Sequence, residues 1–504
     1  MTDGTTNPGG AGPQAPGLRR NLGLVGLAAT GICSMMGAGI TVIPFMLQRN
    51  VPGIGPWVLP SYLFAAVPAL LAALAYAVLS SAMPRAGGSY VYASRGLHPY
   101  LGFVASFSQW FGLSIAIGVV SYVLIPFIRD VVGALGLEGL AATLDVGWVR
   151  VTLALAFLWG SVLVNLRGLE LYERILVPLM YLMFVLGGVV VVAGFLFDHG
   201  DFAASLLARE EVAVPEPGPT PFRLGTFLAA SAVLFSSFIG FDSIAQAGGE
   251  ARDPGRTLPL AIGIAVLTVG SFYFLFTAAV YHAVPWSFIA ERAQGQDLTA
   301  PGLLGYLLAP GWTVLIVAGA AVALANDLPA MLLAVSRLMF AWAEDGVVPR
   351  WVARVHPERH VPHRAIVLSG LMASASILGS HFAGDFFLGV DILVTSMLVN
   401  FLVMCLTVLA LPGRNPRLAS GIRVLPGRSI RDLSAASGAV LLTLFLVVHV
   451  WKDLNAELSA WYFHSTPLWL GVMALASAIY FRELAKLRRG GTDVEAIFAE
   501  LPPE

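Results

Sequence analysis

The chain has 504 residues, 57% hydrophobic and 12% charged, and a formal net charge of −1. Soluble domains carry about 25% charged residues, so a soluble globular fold is excluded; apolar runs of 18 or more residues recur along the whole length and read as an all-α polytopic membrane protein. The two cysteines, Cys33 and Cys405, both fall in apolar stretches and suggest neither a disulfide framework nor a soluble zinc site.

Residues 1–17 are rich in Gly, Pro and Thr and read as a disordered tail without the pattern of a cleaved signal peptide. Twelve spans follow, at 21–48, 57–82, 102–128, 149–166, 174–197, 224–248, 258–284, 312–340, 364–382, 386–411, 434–451 and 463–481. No soluble domain interrupts them. The longest polar stretch, 198–223, holds four prolines and reads as an extramembrane loop.

The first span carries Thr-Gly-Ile-Cys-Ser-Met-Met-Gly-Ala-Gly-Ile at 30–40, with three glycines in nine residues. Each glycine costs roughly 1 kcal/mol of helix propensity relative to alanine, which a simple crossing helix would not carry. Gly37-Ala38-Gly39 therefore reads as a point where the helix opens. Irregular backbone at membrane depth survives where it lines a cavity or is buried in protein, and freed N–H and C=O groups can hold an anion and a cation. The alternative is a small-residue packing face.

The sixth span carries a second irregularity, Phe235 to Pro259, that begins with Phe-Ser-Ser-Phe-Ile-Gly-Phe-Asp and leaves through Gly248-Gly249 into a charged turn. Interrupted helices at corresponding places in two halves point to an inverted-repeat transporter, with spans 1–5 and 6–10 as the repeats and 11–12 as an addition. A kinked helix with a satisfied Asp is the alternative. The charge pattern orients the chain. With the N-terminus in the cytoplasm, only Arg49, Arg129, Arg150, Arg209, Arg223, Arg292 and Lys452 of the 29 basic residues lie outside, leaving 22 inside. Both termini are thus expected in the cytoplasm. The basic stretch at 414–431 needs only a cytoplasmic loop to explain it, with no nucleic acid partner, and no Walker-type loop supports ATP-driven transport.

Several stretches together resemble the amino acid–polyamine–organocation permease superfamily. They are Gly37-Ala38-Gly39-Ile40, Pro84-Arg85-Ala86-Gly87-Gly88-Ser89-Tyr90, Asn165-Leu166-Arg167-Gly168, Phe238-Ile239-Gly240-Phe241-Asp242, Glu250-Ala251-Arg252-Asp253-Pro254 and the run from Ser336-Arg337 to Asp345-Gly346-Val347-Val348-Pro349. They cover spans 1 to 9 in order. The resemblance implies a five-plus-five inverted repeat with discontinuous helices 1 and 6, and secondary transport of amino acids or related amines across a lipid bilayer. It divides the chain into a tail at 1–20, a ten-helix core at 21–411 with repeats at about 21–197 and 224–411, additional helices at 412–482 and a second tail at 483–504. Three departures stand out. Val78 follows Tyr76-Ala77 where the family often has an acid, and Gly249 replaces the first of two adjacent acids. The span-five lysine of several proton-coupled relatives is missing, with about Met183 in its place, so coupling by that device is excluded.

Three carboxylates fall inside spans, Asp242, Asp327 and Asp391, with no Lys or Arg equally deep. A charge at bilayer depth costs at least about 2.5–3.5 kcal/mol, so such acids are paired, protonated or ion-binding. Asp242 reads as a helix N-cap or, from the resemblance, as a gate or proton site beside Phe241. Asp327, next to Asn326 and Pro329, reads as a proton or hard-cation site for a coupling ion, H+ or Na+, or as a water-satisfied structural acid; no other cofactor is expected. The substrate site is expected at mid-membrane between spans 1 and 6. Its residues are Met35, Met36, Gly37, Ala38, Gly39, Ile40, Phe235, Ser236, Phe238 and Ile239. Backbone N–H groups of 37–39 would take the substrate carboxylate, and carbonyls of Met35, Ser236 and Ile239 its ammonium. Phe235, Phe238 and Phe241 are the lid candidates. The absence of a basic side chain favours neutral or cationic substrates over acidic ones. An inorganic-ion carrier or channel on this fold, or an amino acid sensor that moves nothing, are the other function classes.

Overall fold

The computed structural model describes residues 17–383, 386–456 and 463–502, without the side chains of Ala38, Ala383, Phe386 and Phe387. The expected tail before residue 17 lies outside these. Among the described residues eleven helices are long and apolar enough to cross a membrane. They are Val58–Ala82, Pro99–Ala134, Gly147–Leu166, Leu169–Leu196, Leu224–Gln246 (interrupted within), Pro254–Ala283, Pro310–Glu344, His363–Ala383, Phe386–Arg414, Arg428–Leu454 and Ser465–Arg489. They coincide with expected spans 2 to 12. The first expected span is in pieces: Leu24–Met35, Ala38–Thr41 and Ile43–Asn50.

Span 3 has 36 residues and span 8 has 35, longer than the apolar runs suggested. At 1.5 Å per residue each is about 50 Å long, so both exceed the hydrocarbon core and tilt or protrude. Pro329 lies inside span 8, yet the helix runs unbroken from Pro310 to Glu344, and the Pro329 carbonyl accepts an amide hydrogen of Asn165 at 3.1 Å. The helix therefore continues through the proline.

The stretch expected as a polar loop begins as the helix His199–Glu210. Its start is a reciprocal cap. Asp198 Oδ1 accepts N–H groups of Gly200 and Asp201 at 2.7 and 3.0 Å, while Asp201 Oδ2 accepts the N–H of Asp198 at 3.0 Å. The backbone donors of Asp201 and Gly200 hold the Asp198 carboxyl below its usual range. A second unforeseen helix, Gly88–Gly96, begins within the Pro84–Tyr90 motif. Gly87 precedes it with φ +73°, and a side chain there would overlap Ala341. Its N–H donates to the Gln246 carbonyl at 3.1 Å, so the motif lies directly on the turn after span 6.

That end of the bundle also collects the described chain ends. Leu22 pairs by backbone with Glu250 and Arg252, and the Pro502 carbonyl accepts from Arg85 at 3.1 Å. Two buried ion pairs tie it together. Arg337 donates to both oxygens of Glu250 at 3.0 and 2.6 Å, and Arg95 to both oxygens of Asp345 at 2.5 and 2.8 Å. The first pair joins two of the stretches that carry the resemblance, and the second ties the last of them to Arg95. Breaking a buried pair by removing one partner costs about 3–5 kcal/mol, because the other charge stays buried without compensation. Glu250→Gln is therefore expected to lower the melting temperature markedly, and combining it with Arg337→Met to recover part of the loss, as read by thermal unfolding in detergent.

Candidate functional site

The two irregular stretches meet. The helix Leu24–Met35 ends at Met36, whose φ and ψ of −87° and 67° are not helical. In span 6, the helix Leu224–Leu234 tightens into a 3-10 turn at Phe235–Phe238, and an extended Ile239 and then Gly240 follow before the short helix Ser243–Gln246. Gly240 has φ +133°, and a Cβ there would run into the carbonyl of Ser34. Only glycine allows both the dihedral and the approach. Across the same contact Ser34 Oγ and Ser243 Oγ lie 2.9 Å apart.

Beside this contact is a cavity of about 70 Å³. It is lined by Ser34, Met35, Gly37, Gly39 and Ile43 of span 1, Ser236 and Ile239 of span 6, and Asp327 and Met331 of span 8. Ala116, Val119 and Val120 of span 3, and Gly389, Val390 and Leu393 of span 10, complete the wall. Among the described residues no Lys, Arg or His lines it.

Of the residues expected from sequence, Met35, Gly37, Gly39, Ser236, Ile239 and Asp327 share this cavity. Met36 and Ile40 do not: they face a separate small cavity against Met183, Phe272 and Phe276. The side chain of Ala38 lies outside the described residues. The three lid aromatics are not on the wall. Phe235 and Phe241 pack against Phe401, with ring centroids 6.0 and 5.0 Å away, and Phe238 against Tyr62 at 5.3 Å. They hold spans 2, 6 and 10 together instead. The apolar wall from spans 3 and 10 was missed, because Val, Ala and Leu in a span carry no mark of facing a ligand.

The expected ammonium acceptors are unequal. The Met35 carbonyl already accepts the hydroxyl of Tyr273 at 2.6 Å and the N–H of Gly37 at 3.1 Å, which fills its two lone pairs. The Ser236 carbonyl accepts the N–H of Ile239 at 3.1 Å.

The acids have separate surroundings. Asp242 is fully buried away from the cavity; Gln109 Nε2 donates to its Oδ2, and the Gly240 N–H donates to its Oδ1 at 3.1 Å. It does not cap the helix Ser243–Gln246 with its side chain, so the simple N-cap is not the arrangement found. From Gln109 the polar chain continues to Gln246, Ser89, Tyr76 and Asn400, with links of 3.3, 2.8, 2.6 and 2.7 Å. Asn326 points to spans 1 and 5, where its amide donates to Cys33 Sγ, the Leu176 carbonyl and Met183 Sδ at 3.1, 3.2 and 3.4 Å. An amide thus occupies the junction where the resemblance placed a lysine. Asp327 is 1% exposed, its Oδ1 has no hydrogen-bond partner, and its Oδ2 lies so close to Gly37 that a methyl group on Gly37 would overlap it. A buried carboxylate without a partner is costly unless a proton or a cation answers it. Asp391 lies on the far side of span 10, where its carbonyl accepts from His449 at 3.2 Å.

The glycines differ in a way that can be tested. A Cβ at Gly39 would meet nothing nearer than 3.6 Å, whereas one at Gly37 strikes Asp327. Gly37→Ala is expected to weaken ligand binding at least tenfold and Gly39→Ala by less than threefold, on the order of 1 kcal/mol separating them. Equilibrium binding to the purified variants reads both.

The amino acid permease family matches residues 22–475. The chain is 25% identical over 488 residues to the branched-chain amino acid permease of Bacillus subtilis, covering 94% of this chain and 95% of that one. It is 26% identical over 391 residues to the low-affinity putrescine importer of Escherichia coli, covering 76% and 78%. It is 27% identical over 365 residues to the vacuolar cationic amino acid transporter 4 of Arabidopsis thaliana; this match covers 71% of the chain but only 58% of the plant protein. The eleven apolar helices and a family match over most of the sequence carry one conclusion: the chain is a multi-pass membrane protein that belongs to the amino acid permease family, whose members are transporters and not enzymes.

Proposed function

We propose that the protein is a secondary active transporter of amino acids that works by alternating access across the cytoplasmic membrane. The observation that carries this is the cavity between the two opened helices, with Gly37, Gly39 and Ile239 on its wall. The architecture is read as twelve spans, with spans 1–5 and 6–10 as inverted repeats and spans 11 and 12 added. The pieces Leu24–Met35 and Ile43–Asn50 form the first span, and their break faces that of span 6, as corresponding elements of two repeats would. Both termini are read as cytoplasmic. The charge bias supports this, as does the gathering of Leu22 and Pro502 at the Glu250–Arg337 end.

Substrates are neutral or cationic. The wall offers backbone, two serines, apolar side chains and one carboxylate, so a second substrate carboxylate would be desolvated without a partner. Relatives named for cationic and branched-chain amino acids and for putrescine agree with that class. Phe241 and Asp242 act as a gate by holding the short helix of span 6 against spans 3 and 10. Asp327 is the coupling group, the single acid among the described residues of the cavity wall.

Uptake by the purified protein in liposomes, with sodium and pH gradients varied separately, tests this reading. Glutamate and aspartate are expected to compete at least tenfold more weakly than neutral amino acids of similar size. Asp327→Asn is expected to abolish accumulation against a gradient and to spare exchange. Sodium or potassium flux with no amino acid dependence would replace the reading with an inorganic-ion carrier. Saturable binding with no movement would replace it with a sensor.

A further inference from the structure

Asp327 stands where the substrate carboxylate was expected. Its Oδ2 lies against Gly37, and both residues line the same cavity. Any group that settles on Gly37 from the cavity therefore touches this oxygen. Around Asp327, span 1 brings Cys33, whose sulfur is held by the Asn326 amide, and span 7 brings Tyr273, whose hydroxyl is committed to the Met35 carbonyl. Spans 3 and 10 bring only Ala, Val, Gly and Leu to the wall. Among the described lining residues no cation offsets a second negative charge.

We propose that Asp327 and the carboxylate of a bound amino acid compete for the ground at Gly37, so that an amino acid binds only when Asp327 is protonated. The same molecule without its carboxylate binds when Asp327 is ionised. The inference rests on the transport reading above and gives it a coupling ion, the proton. Two carboxylates sharing a dry site cannot both ionise. Binding the substrate carboxylate then draws a proton from solvent onto Asp327, and by linkage protonation raises substrate affinity by the same factor. With an amine the sign reverses, because the ionised carboxylate is its counter-charge.

A sodium ion between the two carboxylates would also relieve the repulsion, but a hard metal cation takes a shell of several oxygens. Among the described residues only Ser34, Ser236 and Asp327 bring side-chain oxygens to the wall, so a metal ion would have to fill its shell from backbone, substrate or water. A proton needs no shell.

The test is equilibrium binding to the purified full chain in lipid nanodiscs, from acid to alkaline pH, without sodium and with sodium chloride. The probes are leucine, lysine and alanine, each paired with its decarboxylated counterpart: isopentylamine, cadaverine and ethylamine. The amino acid that binds best is expected to lose affinity by up to about tenfold per pH unit on the alkaline side, while its amine gains over the same interval. Asp327→Asn is expected to bind the amino acid at every pH as the wild type does in acid, and to lose the amine. If that variant does not fold, Asp327→Ser serves the same comparison. Flat affinity in the wild type would overturn the proposal and leave transport standing. So would alkaline affinity restored by sodium, or a slope that survives in Asp327→Asn but disappears in Asp242→Asn. Failure of every probe to bind at any pH would remove the amino acid reading itself.

Discussion

The close approach of Gly240 to the Ser34 carbonyl is the contact on which the rest of the centre depends. Two helices open at the same depth in an apolar medium, where unmet backbone groups cost several kcal/mol each. Each opening is met mostly from within. Tyr273 and Gly37 saturate the Met35 carbonyl, Ser236 takes the Ile239 N–H, and Asp242 takes the Gly240 N–H. Because the openings are satisfied and pressed together through a glycine, one face of the broken segment remains turned to the cavity. A side chain at Gly240 would push the two spans apart and remove that face.

The sequence showed where the chain opens, because glycine in a span is expensive and acid in an apolar run is conspicuous. It did not show which way the residues face. Met35 and Met36 are neighbours, yet they reach different cavities. Asn326 and Asp327 are also neighbours, but about 100° apart on an intact helix, and this divides their duties. One amide joins spans 1, 5 and 8, and one carboxylate faces the cavity. The phenylalanines flanking the span-6 break were as compatible with packing as with a lid, and the structure uses them for packing. The partners of Glu250 and Asp345 lie 87 and 250 residues away, and only the fold brings each to its arginine.

Met183 in the lysine's expected place also becomes intelligible. Its thioether lies 3.4 Å from the Asn326 amide, which also reaches the Leu176 carbonyl. A neutral amide with several partners fills a junction that a lysine would fill with charge. The carboxyl group stands one residue along span 8, at Asp327, on the cavity side.

The chain of polar links from Asp242 through Gln109, Gln246, Ser89 and Tyr76 to Asn400 has a consequence for how this half of the molecule moves. It touches spans 2, 3, 6 and 10 and the helix Gly88–Gly96, and it runs through fully buried ground. A small tilt of the helix Ser243–Gln246 would stretch several links together, and each broken link would leave a buried polar group unmet. Graded intermediate positions of the segment are therefore disfavoured. Cooperativity of this kind requires no long-range signal: it follows from tying one short helix to several neighbours where water is absent.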